Sequence, residues 1–370
     1  MKITFPAMQG RMGSRTYYAT LMRLGSIPKM FTFRDWADFT PEQREQRVLN
    51  KKRIPEMAKY ILDNEDGFLF SSITASYKCK ALFRPAKEGS SVGELEIDFE
   101  DANFVINDGQ HRCAAIASAI QQNPALAEET ISVLLFEYEN LPRVQQMFSD
   151  LNRYVAKTSK SLDILYDKRD LVSRVTLEVV EKVPAFVGLV DKDSASLSVR
   201  SPKLFTLASL YDANEELLGD ELEGLGHHAA VERAVLFWSA IAKHMPPWQA
   251  VKKGDRKPID VRQEFIAAHS VVLRALGGLG SELLKTDPGN WQSRLDVLET
   301  IDWRKINPHW ENVCIIANSV VSNRQARLAT RAYVKRHLNV PLTETEAKAL
   351  GPSPGNQLPK NQQRTAEAQG

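Results

Sequence analysis

Between residues 103 and 122 the spacing of apolar residues changes from a strand's to a helix's across a glycine-containing turn, and few folds accommodate that passage. Phe104-Val105-Ile106 is β-prone, Asn107-Asp108-Gly109-Gln110-His111-Arg112 is polar, and an Ala-rich run follows from Cys113 to Ile120. The pattern predicts a strand over 103–106, a helix over 110–122 with Cys113, Ile116 and Ile120 inward, and a second strand over 131–138. If the two strands are parallel neighbours, their crossover is right-handed.

Elsewhere in the first half the signals are weaker. Up to residue 39 only Thr16-Tyr17-Tyr18 has strand character. Residues 41–63 read as a helix in two parts, Pro55 falling at the start of the second. Strands are expected over 68–77 and 93–99, with a loop over 84–91. Pro142 opens a helix in which Val144, Met147, Phe148 and Leu151 share a face. From Ser161 the chain turns helical, with candidates over 161–183, 204–218, 229–244, 261–276, 290–300 and, with a break, 308–339. Two loops, 191–203 and 246–258, carry basic residues. The expected class is α+β: an α/β domain over 1–160, a helical domain over 161–343, and a disordered tail over 344–370, rich in Pro, Gln and Gly from 351.

Composition excludes more than it assigns. With 370 residues, 43% hydrophobic and 25% charged, the chain suits two globular domains. It has no run long enough for a membrane span and no secretion signal at Met1-Lys2-Ile3-Thr4-Phe5-Pro6, so a cytoplasmic protein with no membrane partner is expected. Cys79, Cys113 and Cys314 are mutually isolated, and His227-His228 has no companion at ligand spacing, so no metal site is assigned. P-loop, G-x-S-x-G and HExxH motifs are all absent, which leaves an ordinary hydrolase unsupported.

The passage into the 110–122 helix is the candidate site. The first N–H groups of a helix lack internal partners and its dipole favours an anion, so phosphate is the natural guest. Gly109 permits close ligand approach, Arg112 offers a planar fork matched to phosphate oxygens, and Gln110 and His111 add hydrogen-bonding tips. Asp108 either caps the helix, pairs with Arg112 or holds a cation. The same residues also fit a structural role, with Asp108 and Arg112 paired at i,i+4. Net charge is only +2, so contact with DNA would come from local clusters. Asn152, Arg153, Lys157 and Lys160 form one. Arg200 and Lys203, and Lys252 and Lys253, lie in the two basic loops. Arg324, Arg327, Arg331, Lys335 and Arg336 lie in a helical stretch without an acidic residue from 312 to 343.

At Asp108-Gly109-Gln110-His111-Arg112 the sequence resembles the DGQHR-motif proteins and, among them, the DndB family of DNA sulfur modification. Gln9-Gly10, Tyr17-Tyr18, Arg53-Ile54-Pro55, Tyr60-Ile61, Phe148 with Asn152, Ser201-Pro202-Lys203-Leu204-Phe205 and Asn307-Pro308 with Trp310 extend the likeness up to the tail. Gly109, Arg112 and Ala115 also fit the G-x-x-R-x-x-A box of ParB-like domains, which contacts nucleotide phosphates. The resemblance implies a ParB-like N-terminal domain and an accessory role. That role is binding double-stranded DNA, including the promoter region of the modification operon, and repressing it, with the modification proteins as further partners and a homo-oligomer allowed. The rival expectation is a nucleotide-hydrolysing or DNA-nicking enzyme in which Asp108 holds Mg²⁺, Arg112 stabilises charge and His111 moves a proton, a nucleoside triphosphate being the candidate cofactor. Sulfur transfer itself is not implied.

Overall fold

The computed structural model describes residues 2–31, 50–98, 103–153 and 158–351. Lys157, residues 41–49 of the expected split helix and residues 352–370 lie outside the described residues. The chain divides into two compact units, Met1–Ala156 and Lys157–Gly370.

The first unit is built on a mixed sheet of β1 (Lys2–Met12), β2 (Arg15–Arg23), β3 (Ile73–Lys78), β4 (Ala81–Pro85), β5 (Val92–Asp98), β6 (Asn103–Asp108) and β7 (Thr130–Glu137), in the order β4-β5-β1-β2-β7-β3-β6. Strand β1 escaped the sequence reading because Pro6 lies inside it, and proline cannot donate to a ladder. Alternation overrides that defect. Phe5 and Ala7 are buried on one face, with Phe5 opposite Leu95 and Ile3 opposite Ile97. The Thr20 hydroxyl donates to the Pro6 carbonyl at 2.8 Å.

The β-α-β passage forms, but without the expected neighbours. Strand β3 lies between β6 and β7, antiparallel to the first and parallel to the second. Strands β6 and β7 are therefore antiparallel to each other and the right-handed crossover rule does not govern their connection. All of β3 from Ile73 to Tyr77 is buried, as a strand covered on both faces must be.

Helices α1 (Ile27–Met30), α2 (Arg53–Asp63) and α3 (Gln110–Gln122) cover one face, their Ile27, Ile61, Cys113, Ala115 and Ile116 sharing a core with Ile73, Ala75, Ile106, Val133 and Leu135. Helix α4 (Leu141–Arg153) buries Val144 and Met147 and touches β6, whose Asn107 points opposite to Ile106.

The second unit is helical: α5 (Lys160–Tyr166), α6 (Leu171–Lys182), α7 (Leu207–Leu218), α8 (Leu222–Lys243), α9 (Pro246–Lys253), α10 (Pro258–Glu264), α11 (Ser270–Thr286), α12 (Arg324–His337) and α13 (Glu344–Leu350). Helix α11 is apolar nearly all round and buries Val271, Val272, Leu273, Leu276, Leu279 and Leu283. The expected helix over 161–183 splits because Asp170 caps a new start, accepting from the Ser173 N–H at 2.7 Å. The expected loop over 246–258 is mostly α9, opened by Pro246 and closed at left-handed Gly254. Residues 344–350, expected as part of the tail, are helical: α13 is held by a capping box between Thr343 and Glu346. No helix among the described residues is long and apolar enough to cross a membrane.

Candidate functional site

Strand β6 ends at Asp108, Gly109 turns with φ 111°, and α3 starts at Gln110. The turn is filled from within. Arg112 donates from Nη1 to the Ser71 carbonyl at 2.7 Å, to the Ser72 carbonyl at 3.1 Å and to the Ser71 hydroxyl, while Nη2 pairs with the Asp108 carboxylate. Its side chain is only 12% exposed. A Cβ on Gly109 would lie 3.2 Å from Arg112 Nη2 and 3.3 Å from Ile73 Cγ1, so the space a ligand needs is occupied by the guanidinium itself.

The remaining residues of the motif are similarly committed. Gln110 is buried and its Nε2 returns to the Ile106 carbonyl at 3.0 Å. His111 Nε2 accepts the Asn50 N–H at 3.0 Å, which leaves that nitrogen unprotonated and the proton on Nδ1. Asn107 is buried and donates from Nδ2 to Ser76 Oγ at 2.8 Å, its Oδ1 left without a partner. The residues expected as a phosphate clamp, Asp108, Gly109, Gln110, His111 and Arg112, are thus engaged internally: the motif straps the β6–α3 turn to the segment entering β3. The catalytic roles expected for Asp108, His111 and Arg112 lose the open guanidinium they required. Burial pushes the Cys113 thiol up to about 12, so it is no thiolate nucleophile.

Of the scattered basic residues, several are engaged. The Asn152 amide donates to the Phe148 carbonyl at 2.8 Å within α4, and Arg153 is exposed in that helix's last turn. Lys160 pairs with Asp212. The loop holding Arg200 and Lys203 is pinned from below by Arg262, which donates to the carbonyls of Ser198, Val199 and Ser201 at 3.0, 3.1 and 2.7 Å. Lys203 itself donates to the Gly188 carbonyl at 2.8 Å, whereas Arg200 is exposed. Lys252 and Lys253 are exposed in the last turn of α9, where the helix dipole favours cations.

Helix α12 departs most from its expected character. Its own segment has no acid, but α11 and α13 supply them. Lys335 is fully buried, donating to both Glu282 oxygens and to Glu346 Oε2, each at 2.8 Å. Arg331 Nε donates to Glu346 Oε1 at 2.6 Å. Burial alone would raise the Glu346 carboxyl, but the bonds from Lys335 and the Thr343 N–H, with the charges of Arg331 and Lys335, hold it below its ordinary range. Lys335 is therefore a structural cation and no DNA contact, and Arg336 is half-buried. Arg324 and Arg327 differ. Among the described residues neither has an ion-pair partner, and both line a cavity of about 150 Å³ with Arg331 and with Arg274 of α11. Arg274 went unnoticed in the sequence, where its one signal is to be the single charge in the apolar run from Val271 to Leu279.

The family model for DndB, described as DNA-sulfur modification-associated, matches residues 5–341. The chain belongs to that family. The DndB match runs across both compact units and ends just before α13, so Glu346, which completes the α12 ion network, lies beyond it. No curated protein matches the chain, and no solved structure does. Membership places the protein in a DNA sulfur-modification system.

Proposed function

We propose that the protein is a DNA-binding accessory of that system, repressing transcription of the modification operon, and that it grips duplex DNA through the first turns of α12. The observation that carries the DNA contact is the pair Arg324 and Arg327, exposed or half-exposed and without carboxylate partners among the described residues, beside Arg274 and Arg331. Guanidinium groups left over after internal pairing are what phosphate contacts require, and such contacts position DNA without reading its sequence. Family membership supports the link to DNA sulfur modification, and with it the modification proteins as further partners; the repressor role is what the resemblance at the DGQHR motif implies.

Affinity from about four phosphate contacts should fall roughly a hundredfold between ~50 and ~200 mM salt. Fluorescence anisotropy with a labelled duplex should show that loss, and the double charge reversal Arg324→Glu/Arg327→Glu should flatten the slope of log K against log salt by about two. Salt-independent binding, or an unchanged slope in the double variant, removes α12 as the DNA contact. Nucleotide hydrolysis or DNA nicking at the DGQHR turn has no comparable support, since both terminal nitrogens of Arg112 are engaged by Asp108, Ser71 and Ser72.

A further inference from the structure

We propose that Arg274, Arg324, Arg327 and Arg331 form a pocket for one tetrahedral phosphate-class oxyanion, a seat of defined geometry within the basic face of α12. The cavity they share, about 150 Å³, has room for several water molecules or an anion with part of its hydration. Leu328 and Ala275 contribute apolar wall, which strengthens each guanidinium contact, and Glu216 also lines the cavity, its carboxylate neutralised by Arg274 at 2.9 Å.

Two of the four arginines are held in place before any ligand arrives. Arg274 lies between Asp212 at 3.4 Å and Glu216 at 2.9 Å, and its Nε is buried with no hydrogen-bond partner. Arg331 is anchored through Nε on Glu346 and reaches back across α11 over Gly278, where a Cβ would come within 2.6 Å of Arg331 Nη1. Gly278 is thus the opening through which the α12 guanidinium reaches α11. Prearranged donors of this kind bind an anion without the cost of being ordered by it.

Charge counting points to a dianion. Asp212 is shared by Lys160 and Arg274, and Glu216 is bound by Arg274. Glu282 is taken by Lys335, and Glu346 by Lys335 and Arg331. Four carboxylates are thereby set against four cations, and Arg324 and Arg327 remain as a surplus of two positive charges at the mouth of the cavity. A phosphate dianion, or a phosphodiester with its neighbour along a strand, matches that surplus. Placing a DNA phosphate there rests on the DNA-binding reading; the oxyanion chemistry does not.

The test uses the full chain at low salt. Isothermal titration with inorganic phosphate, against sodium chloride at equal ionic strength, should show one saturable site, with affinity falling about tenfold or more in Arg324→Gln/Arg327→Gln. Gly278→Ala, which displaces Arg331, should weaken phosphate binding while Arg324 and Arg327 stay in place. Displacement of phosphate by a short duplex assigns the seat to the DNA backbone, and displacement by a nucleoside monophosphate alone assigns it to a free nucleotide; either supports the pocket. Duplex binding by a parent protein on which millimolar phosphate has no effect beyond chloride overturns the pocket and leaves the DNA contact standing. Phosphate binding by a parent that ignores duplex DNA does the reverse.

Discussion

Arg112 behaves as a strut. Removing it strands the Asp108 carboxylate and the Ser71 and Ser72 carbonyls in a site where the guanidinium is 12% exposed. Arg112→Ala should therefore cost about 2–4 kcal/mol of stability, read as a lower urea midpoint by far-UV circular dichroism. Arg112→Lys should recover only part, because one ammonium cannot span three backbone and hydroxyl acceptors and a carboxylate in a planar fork. Gly109→Ala should also destabilise the first unit, by about 1–3 kcal/mol, since φ 111° is foreign to an L side chain and the Cβ meets the guanidinium. If Arg112→Ala kept its full stability and instead lost a nucleotide or phosphate ligand, the strap would have to be abandoned for a binding site.

Helices α11, α12 and α13 are joined by the network of Lys335, Glu282, Glu346 and Arg331. Lys335→Met should cost about 3–5 kcal/mol, because it leaves Glu346 buried with Arg331 as its remaining cation, and adding Glu346→Leu should recover part of that loss by removing the under-compensated charge. The pH dependence has a definite sign. Glu346 titrates lower folded than unfolded, so its contribution is complete above the ordinary Glu value and disappears as pH falls through the depressed folded one.

His269 adds a second acid-sensitive element. Burial, and then the Lys305 charge, push its pKa down to about 4, against the opposing bond to the Arg262 carbonyl. The unfolded chain takes up a proton near the ordinary histidine value that the folded chain refuses. Stability is therefore present above that value and declines on the order of 3 kcal/mol as pH falls towards 4. Chemical denaturation at a series of pH values should show this slope, and His269→Gln should abolish the part between about pH 6.5 and 4.

At the scale of the whole chain, two separate apolar cores stand out, one drawn from residues between Phe5 and Leu135 and the other between Ile164 and Leu350. Trp238, Trp248, Trp291, Trp303 and Trp310 are all buried in the second. Five of the six tryptophans lie there and Trp36 falls in the first unit, so in Trp36→Phe the fluorescence should report the helical unit, while strand-sensitive circular dichroism follows the sheet. In calorimetry, Gly109→Ala should lower the transition of the sheet unit alone and Lys335→Met that of the helical unit alone; equal shifts of both would show that the units unfold as one. The family match spans both cores.

Local chemistry was legible in the sequence: the β6–Gly109–α3 passage, the Asp108–Arg112 pairing as one of three open readings of Asp108, and the switch to helices after Ser161 all follow from patterns within a few residues of one another. Strand β1 was hidden because its alternation carries a proline, and the β6–β3–β7 order because strand adjacency is not encoded in nearest neighbours. The long-range ion pairs were decisive. Whether a cation is free depends on carboxylates far away in sequence, and Glu282 and Glu346 turned Lys335 from an expected DNA contact into a buried brace. Arg112 was settled in the same way by the carbonyls of Ser71 and Ser72, some forty residues upstream. Sequence determined which groups were available to bind; only folding decided which of them were buried or already neutralised, because a cation paired inside the protein carries little net charge to offer an outside phosphate and a buried one cannot reach it.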